Sequence, residues 1–351
     1  MTSTSAICRA PFLLICLASG LSFANDLAPL SDEFDDGSSQ SDWSRVHVVE
    51  GWNADDLEVF DIDATTAGRM TMVPFTTSWF EDYRGPLVFK EVTGDFVITT
   101  DVEVSARDGV SVPGIGTEYS LAGIMIRTPR DITPQTWTQD GENYIFLSLG
   151  YGNAQPPNYQ FEVKTTIDGE STLILSSAPA NQAAIQVARV GDAVIVLRRE
   201  PGQPWVVHNR YERTDFPETM QVGLVSYTDW RKVSQFDPFV QNSNTLQAPL
   251  PGGVVDPDPG TPFAPDLIAA FDYARFARPQ VPVDLEGLDL TNPGTVSDAD
   301  LLSFLGENAN LTGTQAVPAA STWGLLVMLL SVVLLGTQFL RAKGVVDANV
   351  R

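Results

Sequence analysis

Cysteine is nearly absent from this sequence. The only two, Cys8 and Cys16, fall in an N-terminal segment with the features of a secretory signal. Arg9 gives this segment a positive start, residues 10–23 are mostly apolar, and Ser22-Phe23-Ala24 fits a small-residue cleavage site. We therefore expect a signal peptide at 1–24, with cleavage after Ala24. The mature chain would then have no disulfide and no thiolate for catalysis or metal binding.

Histidine and positive charge are also scarce. His47 and His208 are the two histidines, and no Gly-x-Ser-x-Gly motif accompanies them, so the sequence does not predict a serine hydrolase or a zinc site. The chain has 21 Lys and Arg against 44 Asp and Glu, a formal net charge of -23. Such a surface repels polyanions, and nucleic acid is not an expected partner.

Long helical periodicity is missing between the two ends of the chain, and alternation of apolar and polar residues takes its place. Phe96, Ile98 and Val102 alternate with polar neighbours, as do Tyr159 and Phe161. Turn signals such as Asp168-Gly169 separate many short segments of this kind. We predict strands at 121–127, 144–149, 172–175, 185–190, 193–198, 205–209, 220–227 and 268–276. The pattern predicts an all-β antiparallel sandwich or jelly roll.

The C-terminal region contains an uncharged apolar run at 323–340, followed by Arg341 and Lys343. It is long enough to cross a membrane as one helix, and the basic residues predict that its C-terminal end is cytoplasmic. A buried helix of a soluble domain is the alternative, but such a helix normally has a polar stripe. We expect export, with the membrane as a partner through this helix and the preceding domain displayed in the cell envelope or at the surface.

Residues before this run resemble a C-terminal sorting signal. Val317-Pro318-Ala319-Ala320 and the Trp323-Gly324 step are similar to the IPTL-type signals, which are related to the PEP-CTERM class. The resemblance implies a sorting motif, transmembrane helix and basic tail at 317–351, with a sorting protease as a partner and release after processing as an alternative to permanent anchoring.

Two polar regions precede the anchor. Residues 247–265 are rich in Pro, Gly and Asp and resemble a linker, but a further strand follows, so we treat them as a loop inside the domain. Residues 281–316 are polar and acidic and are predicted to form a spacer. Within them we expect a short helix at 298–305, capped by Ser297.

The order of features over residues 30–280 resembles the concanavalin A-like lectin/glucanase superfamily, in particular its laminin-G-like jelly rolls. The resemblance rests on an opening Asp32-Glu33-Phe34-Asp35 strand, the Ser41-Asp42-Trp43 step, Gly94-Asp95-Phe96, Gly123-Ile124-Met125 and the closing Phe271-Asp272-Tyr273 segment. It implies a jelly roll whose first and last strands pair. It leaves the function open, because lectins, glycosidases and interaction modules share this architecture.

Exposed aromatic and polar residues are the expected ligand-binding groups, because sugar rings stack on aromatic faces while polar groups bind their hydroxyls. The segment 79–85 has the densest such cluster. The candidates are Trp79, Tyr83, Arg84, Arg127, Trp137, Asn143, Tyr151, Lys164, Tyr227 and Trp230. The aromatic residues equally fit core packing, and Arg127 and Lys164 equally fit ordinary outward charges.

Catalytic and metal-binding patterns are weaker. The Glu-x-Asp-x-x-Glu run of glycosidases in this superfamily does not occur, and Glu58-Val59-Phe60-Asp61-Ile62-Asp63 is better explained as an edge strand. No cofactor is required. Calcium is a possible ligand of the acidic loop with Asp32, Asp35 and Asp36, although this loop does not match an EF-hand and solvated acidic residues explain it as well.

These observations give three hypotheses. The first is a non-catalytic lectin-like module that binds a glycan or another envelope component. The second is a divergent glycoside hydrolase of the same superfamily. The third is a purely structural envelope protein.

Overall fold

Antiparallel strands are the main regular secondary structure of the described residues. The computed structural model describes residues 25–52, 54–153, 158–309 and 311. In chain order the strands are β1 Ser44–Arg45, β2 Leu57–Ile62, β3 Met70–Pro74, β4 Leu87–Thr93, β5 Phe96–Ser105, β6 Ser120–Arg127, β7 Tyr144–Tyr151, β8 Tyr159–Ile167, β9 Glu170–Ala178, β10 Gln182–Val190, β11 Ala193–Arg199, β12 Val206–Glu212, β13 Thr219–Tyr227, β14 Ile268–Phe271 and β15 Arg275–Ala277.

The helices are short. They are α1 Val46–Val49, α2 Trp230–Val233, α3 Pro238–Ser243 and α4 Asp298–Leu302, with 3₁₀ turns at Ala28–Leu30, Gly37–Asp42 and Gly306–Asn308. The prediction of an all-β antiparallel fold is confirmed.

The strands form two sheets. Sheet I has the order β1-β4-β13-β6-β7-β8-β9, and sheet II has the order β12-β11-β10-β5-β14-β3-β2, with β15 also paired to β5. Both sheets contribute to one hydrophobic core, for example Ile124 and Leu147 from sheet I and Ile98 and Val187 from sheet II. The two sheets therefore form a sandwich.

The predicted alternation explains β5 and β8. Ile98 and Val102 of β5 and Phe161 and Val163 of β8 face the core. The β8–β9 hairpin turns at Asp168-Gly169, where both residues have a positive φ (48° and 78°), as a type I′ turn requires. β2 lies at the edge of sheet II, as expected for 58–63.

Besides the two-residue β1, two longer strands were not predicted. β3 is buried along its whole length, and Leu87, Val88 and Phe89 at the start of β4 are buried in succession. Because both faces of these segments are covered, their sequences lack the period-2 alternation on which the strand predictions depended.

The loop 247–265 lies inside the domain, because β14 follows it and inserts between β3 and β5. The prediction of one strand at 268–276 is corrected to two strands, β14 and β15. The opening strand at 32–35 is also corrected: Asp32 forms an isolated bridge with Ala274, and Phe34 has a φ of 57°, which interrupts an extended conformation.

Residues 281–309, which we name the C-terminal segment, pack against the outer side of sheet II. Leu285, Val296 and Leu301 are buried there against Ile195 and Trp205. α4 is capped as predicted: Ser297 accepts a hydrogen bond from the Asp300 backbone N–H at 3.2 Å, but the helix ends at Leu302. Over the described residues this segment is part of the packed domain, which corrects the prediction of a spacer.

None of the helices in the described ranges is long and apolar enough to cross a membrane. The predicted signal peptide at 1–24, the sorting motif residues Val317, Pro318, Trp323 and Gly324, and the run 323–340 lie outside the described residues.

Candidate functional site

The face of sheet I that points away from the core, here called the outer face, carries an unusual number of polar side chains. Because Phe161 and Val163 face the core, Glu162 and Lys164 lie on the outer face. Register places Lys164 opposite Phe146. Much of this face is covered by other parts of the chain, and two polar groups lie beneath that cover.

The first group is an arginine–glutamate cluster. The Arg127 guanidinium donates to Glu142 through Nε (2.7 Å) and Nη2 (3.0 Å), and to Glu50 through Nη1 (2.9 Å). Arg84 pairs with Glu50 and lies 3.2 Å from Glu142, and Arg130 donates to Glu142 at 2.7 Å. Arg84, Arg127, Glu50 and Glu142 are buried. Their mutual attraction and hydrogen bonds offset the desolvation penalty of burying these charges.

The neighbouring arginines keep the Glu142 carboxylate ionised. Burial alone would raise the pKa of Glu142, but the positive charges of Arg127 and Arg84 outweigh it and hold the pKa well below its usual range. A carboxylate that stays ionised and is bound by three guanidinium groups has no proton to donate near neutral pH. The cluster is therefore structural, and Arg84 and Arg127 are not free to bind a ligand.

A buried histidine–aspartate pair lies beside this cluster. The His47 Nε2 atom is 3.6 Å from Asp56 Oδ2. Burial, with the charges of Arg84 and Arg127, lowers the pKa of His47 to about 3, so the ring is neutral. Burial raises the pKa of Asp56 well above its usual value, and Asp56 Oδ2 accepts a hydrogen bond from Thr77 Oγ1 at 2.8 Å.

The second group surrounds Lys164, at the bottom of a cavity of about 220 Å³ that we name the Lys164 pocket. Its ammonium donates to the backbone oxygen of Trp79 at 2.6 Å and lies 2.9 Å from Glu162 Oε1. Ring centroids of Phe80 and Phe146 lie 5.3 and 5.1 Å from Nζ. The pocket is lined by Ser78, Phe80, Tyr119, Lys164, Leu173 and Trp230.

Glu162 is the second buried charge of the site. It has no exposed surface, and its Oε1 atom lies 2.9 Å from the Lys164 ammonium. The nearby Lys164 ammonium compensates its charge. Tyr227 lies beside it and donates or accepts a hydrogen bond with Ser148 at 2.9 Å; burial first, then the negative charge of Glu162, raises the Tyr227 pKa. The Lys164–Glu162 ion pair reaches the cavity through Lys164.

Aromatic rings form the wall of the Lys164 pocket. The centroid of Trp230 lies 5.1 Å from that of Phe80 and 5.4 Å from that of Tyr83. Trp230, Phe80 and Tyr119 are half-buried, so part of each ring is accessible. Tyr83 is fixed by its hydroxyl, which donates to the Phe236 backbone oxygen at 2.7 Å.

The predicted candidates divide into three sets. Lys164 and Trp230 line the pocket, and Tyr83 supports Trp230. Trp79, Tyr227 and Tyr151 are buried, so their rings have no accessible face on which a sugar could stack. The third set lies outside the pocket: Arg84 and Arg127 belong to the arginine–glutamate cluster, and Trp137 and Asn143 lie elsewhere.

Trp137 and Asn143 are separate from the pocket. Trp137 packs against Trp52 and Phe239, with centroids 6.4 and 5.7 Å apart. Asn143 accepts a hydrogen bond from the Asp168 backbone N–H at 3.0 Å and supports the β8–β9 turn.

Several site residues were missed by the sequence prediction. They are Ser78, Tyr119 and Leu173, which line the pocket, and Glu162, which pairs with Lys164. Phe80 was not named as a candidate, although it lies in the predicted 79–85 cluster. Glu162 had a usable signal, because it alternates with Phe161 and Val163 on a predicted strand. Tyr119 had none, since it lies in a loop and has a positive φ of 51°.

The acidic residues considered for calcium have other contacts. Asp32 accepts hydrogen bonds from the Trp43 indole at 2.9 Å and from the Phe34 backbone, and Asp36 caps the Gly37–Asp42 turn. Asp35 is exposed. In the part of the chain that the structure describes, no three His, Cys, Asp or Glu side chains are grouped so as to hold a metal ion.

Comparison with known proteins gives distant structural similarities. No family of known proteins matches the chain, and no curated protein matches it. The xylan β-1,4-xylosidase of Bacillus halodurans C-125 is 13% identical, with a TM-score of 0.44, over 71% of this chain and 39% of that chain. The GH43 BlXynB protein of Bacillus licheniformis is 14% identical, with a TM-score of 0.41 and the same coverage of both chains.

The κ-carrageenase of Pseudoalteromonas carrageenovora is 11% identical, with a TM-score of 0.39, over 71% of this chain and 92% of that chain. This chain thus spans about two fifths of the length of the xylosidase and of the GH43 protein. At such identities and TM-scores, none of these proteins assigns a family or an activity to this chain.

Proposed function

We propose that this chain is a carbohydrate-binding protein whose ligand enters the Lys164 pocket. The observation that supports this most directly is the aromatic wall of that pocket, where the partly exposed rings of Phe80, Tyr119 and Trp230 lie beside the Lys164–Glu162 ion pair. A sugar offers what such a site needs, because its hydroxyls donate hydrogen bonds and its C–H faces stack on rings.

Charge favours a neutral glycan. The Lys164 ammonium is compensated by Glu162 at 2.9 Å, so the pocket has little net charge. The chain as a whole has a net charge of -23 and repels anionic polymers.

The sandwich belongs, in this proposal, to the concanavalin A-like jelly rolls. Insertion of β14 into sheet II, together with the bridge between Asp32 and Ala274, joins the two ends of the domain and supports the classification.

Hydrolysis of a glycan is the second candidate function. Glu162 is a strand carboxylate on the outer face, where a glycosidase of this fold carries its catalytic groups, and a hydrolase needs a second carboxylate across the bound sugar. Glu118 and Glu81 are exposed and adjoin Tyr119 and Phe80 in the sequence, which makes them the carboxylates to test.

Glycan-array binding by the full chain in mild detergent tests the proposal. We expect a neutral glycan to bind, and Trp230→Ala to weaken binding at least about tenfold, which corresponds to about 1.4 kcal/mol. Phe239→Ala is the matched control, because Phe239 is 40% exposed and packs with Trp137 and Trp52 away from the pocket. If the wild-type chain binds no sugar, with or without calcium, the proposal fails and a purely structural envelope role is favoured.

Reducing-sugar release from the bound glycan separates the two functions. Release that Glu162→Gln abolishes while binding persists would establish the hydrolase. Binding without release would establish the lectin-like module.

Export and anchoring are part of the same proposal. Asn25, the residue after the predicted cleavage site, already belongs to the domain, because its side chain donates to the Phe276 backbone oxygen at 2.7 Å. Cleavage after Ala24 would leave this contact intact. N-terminal sequencing of the exported protein should begin at Asn25, and membrane fractionation with C-terminal peptide mapping tests anchoring and processing near Pro318.

A further inference from the structure

Lys232 is a buried lysine outside the Lys164 pocket. It lies in α2 and has no exposed surface. The loop 247–265, which is rich in Pro and Gly, covers it. The Lys232 ammonium lies 2.7 Å from Asp256 Oδ1 and 2.9 Å from Asp256 Oδ2, and donates to the Asp258 backbone oxygen at 2.7 Å. Lys232 thus fixes this loop to the helix.

The surroundings of Lys232 have a low polarity. The ring centroids of Phe263 and Phe236 lie 4.6 and 5.8 Å from its Nζ. Lys232 has no exposed surface, so these rings and the Asp256 carboxylate surround the ammonium in place of water. Transfer of one proton from the ammonium to the carboxylate gives the amine and the carboxylic acid from which an amide forms.

Asp229 is a second carboxyl group in the same region. It is buried just before α2, and its Oδ2 accepts hydrogen bonds from Thr76 Oγ1 at 2.7 Å and from the Ala264 backbone at 2.8 Å. Burial raises the pKa of Asp229, against a smaller lowering by the Lys232 charge. A carboxyl group with a raised pKa can accept and return a proton.

We propose that Lys232 and Asp256 become joined by an intramolecular amide bond. The Lys232 amine attacks the Asp256 carboxyl carbon, the new C–N bond forms, and the C–O bond to one carboxyl oxygen breaks. Asp229 takes the proton that the amine loses and returns it to the departing oxygen. The ammonium and the carboxylate thereby become one amide and one water molecule, and no oxidant or other reactant is consumed.

The geometry is close to that required. With both Asp256 oxygens within 2.9 Å of Nζ, the carboxyl carbon is at roughly the 3–3.5 Å separation of a near-attack arrangement, and the carboxyl plane must rotate to face the amine. The Asp256 side chain is 23% exposed, so the product water has a path to solvent.

Such a bond would have a structural purpose in this chain. The predicted mature sequence has no cysteine with which to fix the loop 247–265 covalently. A link from Lys232 to Asp256 would close a ring that contains α3 and hold the loop on α2, including against proteases.

Mass spectrometry of the full chain, purified and then denatured, tests the proposal. We expect the wild-type mass to be one water below the mass of its sequence, and tryptic mapping to give a branched peptide that joins Lys232 to Asp256. Lys232→Met and Asp256→Ala should each restore the full sequence mass. The matched control is Lys164→Met, which removes the other buried lysine paired with a carboxylate and should keep the deficit of one water.

Peptide mapping of the wild-type chain is decisive even if a variant fails to fold. Full sequence mass with two separate linear peptides would overturn the amide bond and leave an ion pair. A water deficit that maps to other residues would also overturn it. If Asp229→Asn still gives the branched peptide at the wild-type rate, the proton transfer by Asp229 is wrong.

Discussion

The Lys164 ammonium donates a hydrogen bond to the backbone oxygen of Trp79, across 2.6 Å. This contact fixes the backbone at Trp79 over the outer face of sheet I. Trp79 and its neighbour Phe80 have different environments there. The Trp79 side chain is fully buried, with its indole N–H donating to the Pro86 oxygen at 3.1 Å, whereas Phe80 lines the Lys164 pocket. Neighbours in sequence therefore have different roles.

The first prediction follows from the different environments of Trp79 and Phe80. Trp79→Ala removes a buried ring that packs on Tyr144 at 5.3 Å, and should lower the free energy of unfolding by about 3–5 kcal/mol. Phe80→Ala should cost clearly less stability and should weaken glycan binding. Urea unfolding and glycan binding, measured on both variants, check this, and equal stability losses would contradict it.

The same pair shows what the sequence could predict. Alternation identified most strands, including β5 and β8, because each has one face in the core. Trp79 and Phe80 could not be assigned to core or site, since that depends on which strands lie beneath them. The Lys164 pocket joins residues near 80, 119, 164 and 230, and sequence periodicity contains no information on such long-range contacts.

Segments that are buried on both faces account for strands that the sequence did not predict. β3 and the start of β4 are covered on both sides, so their sequences lack a polar face. The C-terminal segment was misread for the opposite reason: its many polar residues dominate the composition, while Leu285, Val296 and Leu301 are spaced irregularly and still reach sheet II.

The arginine–glutamate cluster gives a second prediction. Arg127→Met removes a guanidinium that pairs with the buried Glu142 and Glu50. Because it leaves buried negative charge uncompensated, it should lower the free energy of unfolding by about 3–5 kcal/mol. Arg275→Met is the control, because the Arg275–Glu33 pair is partly exposed and should contribute at most about 1 kcal/mol. Urea unfolding of both variants measures this difference, and a loss for Arg127→Met no larger than for the control would show that the cluster is dispensable.

The third prediction concerns pH. Burial lowers the pKa of His47 from 6.5 to about 3, so between these values the unfolded chain binds a proton that the folded chain does not. Stability from this group is present above pH 6.5 and is lost as the pH falls towards 3. Its full size is on the order of 5 kcal/mol.

Asp56 acts in the opposite sense. Its raised pKa means that the folded chain keeps a proton that the unfolded chain releases above about pH 3.8, which favours folding at low pH. Comparison of wild type with His47→Gln isolates the histidine. Free energies of unfolding at pH 7, 5 and 4 should fall more steeply for the wild type, and parallel curves would rule out His47 as the titrating group.

The last prediction tests whether the C-terminal segment belongs to the folded domain. Leu301 is fully buried against sheet II, so Leu301→Ala should leave a cavity and lower the free energy of unfolding by about 2–5 kcal/mol. Leu288 lies in the same segment but is 42% exposed, and Leu288→Ala should change stability by no more than about 0.5 kcal/mol. A detached spacer would give no loss for either variant in urea unfolding. A loss confined to Leu301→Ala would mean that the C-terminal segment packs on sheet II at least as far as residue 301, so that a connection to the predicted anchor can begin only beyond it.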